Sequence, residues 1–209
     1  MTFATLILML SRLAMVEQPD LHAASRWTSY LDGMTVMAGE YLDVGREGAL
    51  ISPDADPLLL AVIGYEESRH RPRIADGDCD HTPQPKCRAI GPMQLSNSLP
   101  ALMPRIDPGY AALKVAALRE PRTAVLASYR LLRYYRDTCH GGPAQWLGAW
   151  SAGKCSARPI ALGARRCQLA AAMARAADLA PIDCGERPLD VATRKRIEAI
   201  AAASNKAEK

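Results

Sequence analysis

Apolar residues recur at the three- and four-residue spacing of an α-helix along most of this chain. The clearest case begins at Asp56-Pro57, which is typical of a helix start because aspartate caps the first turn and proline fits it. We predict that this helix ends near Arg71-Pro72, since the residue before a proline resists the helical conformation. Its apolar stripe leads to two glutamates: Leu58, Leu59, Val62, Ile63, Glu66 and Glu67.

Glycine and proline divide the rest of the chain into further predicted helices. A long helix is expected from Thr123 to about Asp137, a short one carries Trp146 to Trp150, and another runs from about Arg165 to Leu179. Residues 1–50 also show helical spacing but no recognisable chemistry, so packing or contact with a protein partner is their simplest interpretation.

The pattern therefore predicts an all-α fold with three regions. Residues 1–50 form an N-terminal helical extension, and residues 51–185 form the main domain. Residues 186–209, rich in Ala, Lys, Arg and Glu, are predicted to form a solvated C-terminal helical tail.

Composition and charge narrow the class of protein. Aromatic residues make up only 5% of the chain, which favours helices over strands. A net charge of +4 is too small to indicate nucleic-acid binding. We find no run of about 20 apolar residues that would span a membrane. The apolar start from Met1 to Met15 contains Arg12 and is a poor signal peptide.

Six cysteines lie in the last two thirds of the chain: Cys79, Cys87, Cys139, Cys155, Cys167 and Cys184. An even, dispersed set favours disulfides over free core thiols, and so an extracytoplasmic setting in the periplasm or cell wall. Delivery by a phage or secretion machine, or prior removal of a leader, would reconcile this with the poor signal peptide. Because the cysteines and histidines lack ligand spacing, we predict no metal and no cofactor.

Predicted helix directions suggest how the cysteines pair. Cys79 and Cys87 flank one short loop and are expected to pair locally. A Cys139–Cys155 bond would have to span the helix that carries Trp146, beyond the roughly 7 Å limit between α-carbons. The pairing that fits an up-and-down layout is Cys155 with Cys167 and Cys139 with Cys184.

Glu67 is the strongest catalytic candidate. It lies four residues after Ile63 and seven after Leu60, so the three share one apolar helix face. A carboxyl group on that face loses hydration, which raises its pKa and favours the protonated form needed to cleave a glycosidic bond. The alternative is an exposed or ion-paired glutamate.

Four motifs decide in favour of catalysis. Glu67-Ser68-Arg69-His70-Arg71-Pro72 resembles the Glu-Ser-x-aromatic-x-Pro signature of the soluble lytic transglycosylase family, with His70 in the aromatic position. Residues 89–95, Ala-Ile-Gly-Pro-Met-Gln-Leu, are similar to its Gly-x-Met-Gln-Leu motif. Residues 149–153, Ala-Trp-Ser-Ala-Gly, resemble its Tyr-Asn-x-Gly motif, with Ser151 in place of Asn. Glu120-Pro121 resembles the opening of the helix between them.

The resemblance implies a lysozyme-like fold and cleavage of the β-1,4 bond between N-acetylmuramic acid and N-acetylglucosamine in peptidoglycan glycan strands. Glu67 would act as general acid and then as general base, closing a 1,6-anhydro ring on the muramic sugar. The resemblance implies substrate contacts for Ser68, Met93, Gln94, Trp150 and Ser151. Glu66 is expected to be structural. Gln94 has a turn-stabilising amide as its alternative role, and Trp146 and Trp150 have core packing as theirs.

Two other functions stay open. A lysozyme-type muramidase on the same fold would use water, and an inverting enzyme would need a second carboxylate roughly 6.5–9.5 Å away. Asp76, Asp78 and Asp80 are candidates for it, with a solvated acidic loop as the alternative. The chain would otherwise be a catalytically weak glycan-binding or structural component of a phage or secretion machine.

Overall fold

The predicted all-α class is confirmed in a computed structural model, which describes residues 1–18, 24–48, 50–70, 88–155, 160–185 and 191–206. A single two-stranded hairpin accompanies the helices in this part of the chain, and two short 3-10 turns (Pro108–Tyr110 and Val115–Arg119) follow it. The helices are α1 Phe3–Glu17, α2 Ala24–Arg46, α3 Ala55–Ser68, α4 Leu99–Ile106, α5 Pro121–Thr138, α6 Pro143–Ala152, α7 Ile160–Ala176 and α8 Val191–Lys206; the strands are β1 Ala89–Ile90 and β2 Leu95–Ser96. No described helix combines the length and the apolar character needed to cross a bilayer.

Helix α3 lies at the centre of the fold. Every residue from Ala55 to Tyr65 is buried, because α1, α2, α5 and α7 all pack around the helix. Burying each of its leucines stabilises the fold by about 1.5–3 kcal/mol. This enclosure fixes the direction in which the C-terminal turn of α3, with Glu66 and Glu67, must point.

The start of α3 differs from the predicted cap. The helix begins at Ala55, so Asp56 lies inside its first turn. The buried Asp56 carboxylate instead accepts hydrogen bonds from the backbone N–H groups of Leu50, Ile51 and Ser52, at 2.5, 2.7 and 3.1 Å. It also accepts one from the Tyr129 hydroxyl at 3.2 Å. Asp56 thereby ties the loop before α3 to helix α5.

The N-terminal region shares the core of the main domain. One cluster of buried apolar side chains runs from Leu6 in α1 to Ile182 after α7, with no break at residue 50. Helices α2 and α3 cross closely at Gly64, where an added β-carbon would lie 1.8 Å from the Tyr41 hydroxyl oxygen. Residues 1–50 are therefore part of the packed body in this structure.

The C-terminal segment is helical, as composition suggested, and most of its described side chains are exposed, but one side of it contacts the rest of the protein. Helix α8 packs against α1 and α7, and Thr193 has no exposed surface. Arg196 reaches inward to form ion pairs with Glu17 and Glu66. Alanine and charged residues do not distinguish a solvated helix from one whose charges pair with partners on the body.

The disulfides connect Cys139 with Cys155 and Cys167 with Cys184, with α-carbons 5.4 and 5.6 Å apart. The predicted pairs Cys155–Cys167 and Cys139–Cys184 are therefore wrong. The predicted Cys79–Cys87 pair lies outside the described residues.

The reason for the error is that the loops flanking the helices were neglected. Three residues separate Cys139 from α6 and two separate α6 from Cys155. At up to about 3.6 Å per extended residue, these connections return the chain across the length of α6. Cys167 lies in the middle of α7, and after α7 the chain reverses at Asp178 (φ 54°) and runs back along the helix to Cys184.

Candidate functional site

A cleft of about 410 Å³ opens where α3 ends, between the β-hairpin and helix α6. Four residues predicted for the site line it together: Glu67, Gln94, Trp150 and Ser151. They come from three separate segments, so the fold brings the three sequence motifs to one place. The other described lining residues are Arg88, Ala89, Leu95, Ser96, Ser98, Leu99, Leu102, Leu131, Tyr135, Ala152 and Gly153.

Two predicted site residues lie behind the cleft wall. Ser68 is buried, where its hydroxyl donates to the Gly64 carbonyl at 3.0 Å and accepts from the His70 N–H at 3.1 Å. Ser68 therefore closes the last turn of α3. Met93 is fully buried, with its sulfur 3.8 Å from the Tyr41 hydroxyl. Both support the geometry of the site and neither is among the residues that line the cleft.

The hairpin turn carries Gln94 to the cleft. Gly91 has a φ of +72°, and a β-carbon there would lie 1.8 Å from the Leu118 carbonyl oxygen, so only glycine fits. Gln94 itself has a φ of 47°. Its side-chain amide donates to the Gly91 carbonyl at 2.9 Å. The structure thus supports the turn-stabilising role of Gln94, and the side chain contributes to the cleft wall as well.

The carboxyl group of Glu67 faces the cleft and is largely desolvated. Its side chain is 24% exposed. Burial raises its pKa above the ordinary value, while the charge and hydrogen bond of Arg166 act in the opposite direction; Glu66 raises the pKa and Arg165 lowers it. The net direction favours the protonated acid, as the apolar helix face predicted, while the contact with Arg166 is the ion pair that the alternative held.

Arg166 is the residue that organises this site, and it was not predicted. From α7 its guanidinium donates to Glu67 Oε1, to Glu66 Oε2 at 3.1 Å and to Ser151 Oγ at 2.5 Å. Its central carbon lies 5.2 Å from the ring centroid of Trp150. One buried side chain thus connects the end of α3 with the third motif on α6.

Glu66 is enclosed by positive charge. It pairs with Arg165 and Arg166 of α7 and with Arg196 of α8, and only 3% of its side chain is exposed. Arg196 continues to Glu17, which also pairs with Arg69. Glu66 therefore has the structural role expected of it.

The two tryptophans of α6 have different surroundings. Trp146 is 2% exposed and lies in the core, as one of the two alternatives held. Trp150 lines the cleft but is only 7% exposed, with Arg166 over its ring. Trp150 therefore combines a place in the cleft wall with burial that is close to that of a core residue.

Tyrosines of α5 contribute to the cleft in a way that sequence spacing did not specify. Tyr135 lines it, whereas Tyr129 is bound to Asp56. An adjoining hollow of about 370 Å³ shares Tyr135, Leu131 and Gly153 with the cleft and continues past Tyr134. The two hollows adjoin along these shared residues.

His70 lies behind Glu67 in a ring cluster. Its Nε2 is 2.9 Å from the Tyr41 hydroxyl, and its ring packs against Tyr41 and Tyr65. Burial lowers the pKa of His70 from 6.5 to about 3. A neutral imidazole thus occupies the aromatic position of the first motif and fills it as a ring.

No group of histidine, cysteine or carboxylate side chains among the described residues is arranged to hold a metal ion. Asp76, Asp78 and Asp80, the candidates for a second carboxylate, lie outside the described residues. Comparisons with protein-family models, with curated proteins and with solved structures found no match to this chain.

Proposed function

We propose that the cleft is the active site of a peptidoglycan lytic transglycosylase with a lysozyme-like fold, and that Glu67 is its catalytic acid and base. The observation that carries the proposal is the position of Glu67, a desolvated carboxyl group in a cleft that also receives Gln94 and Ser151 from the other two motifs. Glu67 is the only carboxyl group among the described lining residues.

The proposed reaction needs one carboxyl group that works twice. Glu67 first donates its proton to the oxygen of the β-1,4 bond as the bond to the muramic C1 breaks. The Glu67 carboxylate then takes the proton of the muramic C6 hydroxyl as that oxygen attacks C1, which closes the 1,6-anhydro ring and restores the acid. No water is consumed. The substrate's own acetamido oxygen can stabilise the cationic centre, so a second carboxylate is not required.

The hydrolase alternative requires a second carboxylate near Glu67, and the candidates Asp76, Asp78 and Asp80 lie outside the described residues. An inverting muramidase needs a general base that activates water. Glu66 is the neighbour of Glu67, but three arginines surround it and its side chain is 3% exposed. A side chain enclosed in this way is closed to the water that a general base would have to activate, which favours the transglycosylase within the described part of the chain.

The decisive experiment is product analysis on purified peptidoglycan. We expect mass spectrometry to find 1,6-anhydro ends, whereas reducing ends would indicate a muramidase. Clearing of a wall suspension is the test for activity at all; a correctly folded protein that binds wall but clears none would indicate the glycan-binding alternative.

A variant series assigns the catalytic residue. Glu67→Gln is nearly isosteric but cannot exchange a proton, so we expect a loss of about 10²–10⁴-fold in rate. Glu66→Gln should fold less stably yet retain more activity than Glu67→Gln. Glu198→Gln, at an exposed position on α8, is the matched control and should behave as wild type. Loss of activity in Glu66→Gln with retention in Glu67→Gln would show that the assignment is wrong.

A further inference from the structure

Arg166 connects three side chains of the proposed active site. Three of its donors are directed at three different acceptors, Glu66, Glu67 and Ser151, and its side chain is 3% exposed. The guanidinium is planar and rigid, so engaging all three fixes its position. Trp150 covers it from the α6 side.

The bond from Arg166 distinguishes the two oxygens of Glu67. Arg166 donates to Oε1. Oε2 has no hydrogen-bond partner among the described residues, and the Glu67 side chain contributes to the cleft wall. A carboxyl group held through one oxygen can donate and recover a proton through the other without reorienting between the two steps.

We propose that Arg166 is the positioning residue for Glu67: it holds Oε1 against the wall and leaves Oε2 as the oxygen that donates and recovers the proton. This inference rests on the proposed function of Glu67. Glu66 makes the arrangement possible, because its negative charge compensates the buried Arg166 and allows the guanidinium to serve a group that must be neutral for part of the cycle.

The charges around Glu67 predict how the pH profile responds. Glu67 faces Arg166 and Arg165 from α7, Glu66 from its own helix, and Arg88 across the cleft. Removing Arg166 removes a positive charge in direct contact, so the pKa of Glu67 must rise, by about 1–3 pH units for a lost contact of this kind. Activity that needs the protonated acid would then persist to higher pH.

The test compares Arg166→Gln with Arg166→Lys. In Arg166→Gln we expect the alkaline limb of kcat to move up by about 1–3 pH units and the plateau to fall about ten- to a hundredfold from lost orientation. Arg166→Lys keeps the charge but cannot reach three acceptors in a fixed plane. The alkaline limb of kcat in Arg166→Lys should therefore stay near that of wild type, while its maximal kcat falls. Arg175→Gln removes one charge from an exposed position on the same helix and should change neither.

A second measurement keeps this inference separate from the proposed function. Carbon-13 NMR of the glutamate side chains, assigned with Glu67→Gln, reports the pKa of Glu67 whether or not the wall is cleaved. A higher Glu67 pKa in Arg166→Gln, with Arg166→Lys near wild type, is expected. If Arg166→Gln does not fold, Arg166→Lys alone tests the proposal: its maximal kcat should be lower than that of wild type, while the alkaline limb of its pH profile stays at the same pH. A maximal kcat in Arg166→Lys equal to that of wild type would overturn the proposal. So would an Arg166→Gln variant that is less thermally stable but keeps the wild-type alkaline limb of kcat and the wild-type pKa of Glu67. Absence of cleavage by wild type would overturn the proposed function instead.

Discussion

Acidification should destabilise this fold through one buried side chain, His70. The imidazole is 4% exposed and lies between the rings of Tyr41 and Tyr65. Burial lowers its pKa from 6.5 to about 3, so the folded protein keeps His70 neutral at a pH where the unfolded chain is protonated. Between these two values the unfolded state binds more protons, and the free energy of unfolding must fall as the pH falls.

The size of the effect follows from the two pKa values. One pH unit of such a difference corresponds to about 1.4 kcal/mol. On lowering the pH from 7 to 5, His70 should therefore reduce the free energy of unfolding by about 2 kcal/mol, and by about 3 kcal/mol at pH 4. This is a large share of the total stability of a typical domain, about 5–15 kcal/mol.

The assay is urea unfolding at pH 7, 6 and 5 with the disulfides intact, on wild type and on His70→Phe. Phenylalanine keeps a ring in the cluster but removes the hydrogen bond between His70 and the Tyr41 hydroxyl, which leaves that hydroxyl only the Met93 sulfur. The variant should therefore be less stable at pH 7 by about 1–3 kcal/mol. That difference should shrink by about 2 kcal/mol at pH 5. Asp56 and Glu67, whose pKa values are raised, titrate in both proteins and cancel in the comparison. A difference that stays constant from pH 7 to pH 5 would refute the reasoning.

Two further predictions concern the frame of the site. Replacing Cys139 and Cys155 with serine opens a loop with a sequence separation of 16. Urea unfolding should then give a free energy of unfolding lower by about 3 kcal/mol. The pairing itself would be contradicted if non-reducing peptide mapping found Cys139 joined to Cys184. Gly91→Ala should lower the melting temperature, because the positive φ alone costs about 1–3 kcal/mol and the added β-carbon would meet the Leu118 carbonyl. Gly142→Ala is the control, since a β-carbon there meets nothing within 4 Å. Equal melting temperatures of the two variants would show that the turn at Gly91 adapts.

The site was predictable from sequence where local pattern determines direction. Helical spacing placed Glu67 on the inward face of α3, and the short motifs around Gln94 and Ser151 arrived at the same cleft. Tyr135 was not predictable, because its place depends on how α5 packs against α4 and α6. The disulfide pairs failed for a related reason: helix directions were considered without the reach of the short loops between them.

Arg166 left a signal that was available but not used. Its neighbours on α7 include the buried residues Ala164, Cys167, Ala170 and Ala171, so an arginine in that stripe needs a buried acceptor. The Glu66-Glu67 pair at the end of an equally apolar helix is the natural partner. When a sequence pattern predicts one buried basic residue on one helix and a buried acidic pair on another, the two groups are expected to form ion pairs with each other.

The pair between Arg196 and Glu17 has a consequence for the order in which the molecule assembles. These residues are 179 positions apart in the chain, and the contact brings α8 against α1 directly behind Glu66. During synthesis Arg196 emerges long after Glu17 and Glu66. The residues around the two glutamates can therefore pack before the contacts with Arg196 form. Contacts between residues so far apart in the sequence form late in folding, and they lower the folding rate. The charged cluster at the end of α3 is therefore expected to be completed last, when α8 packs against α1 and α7.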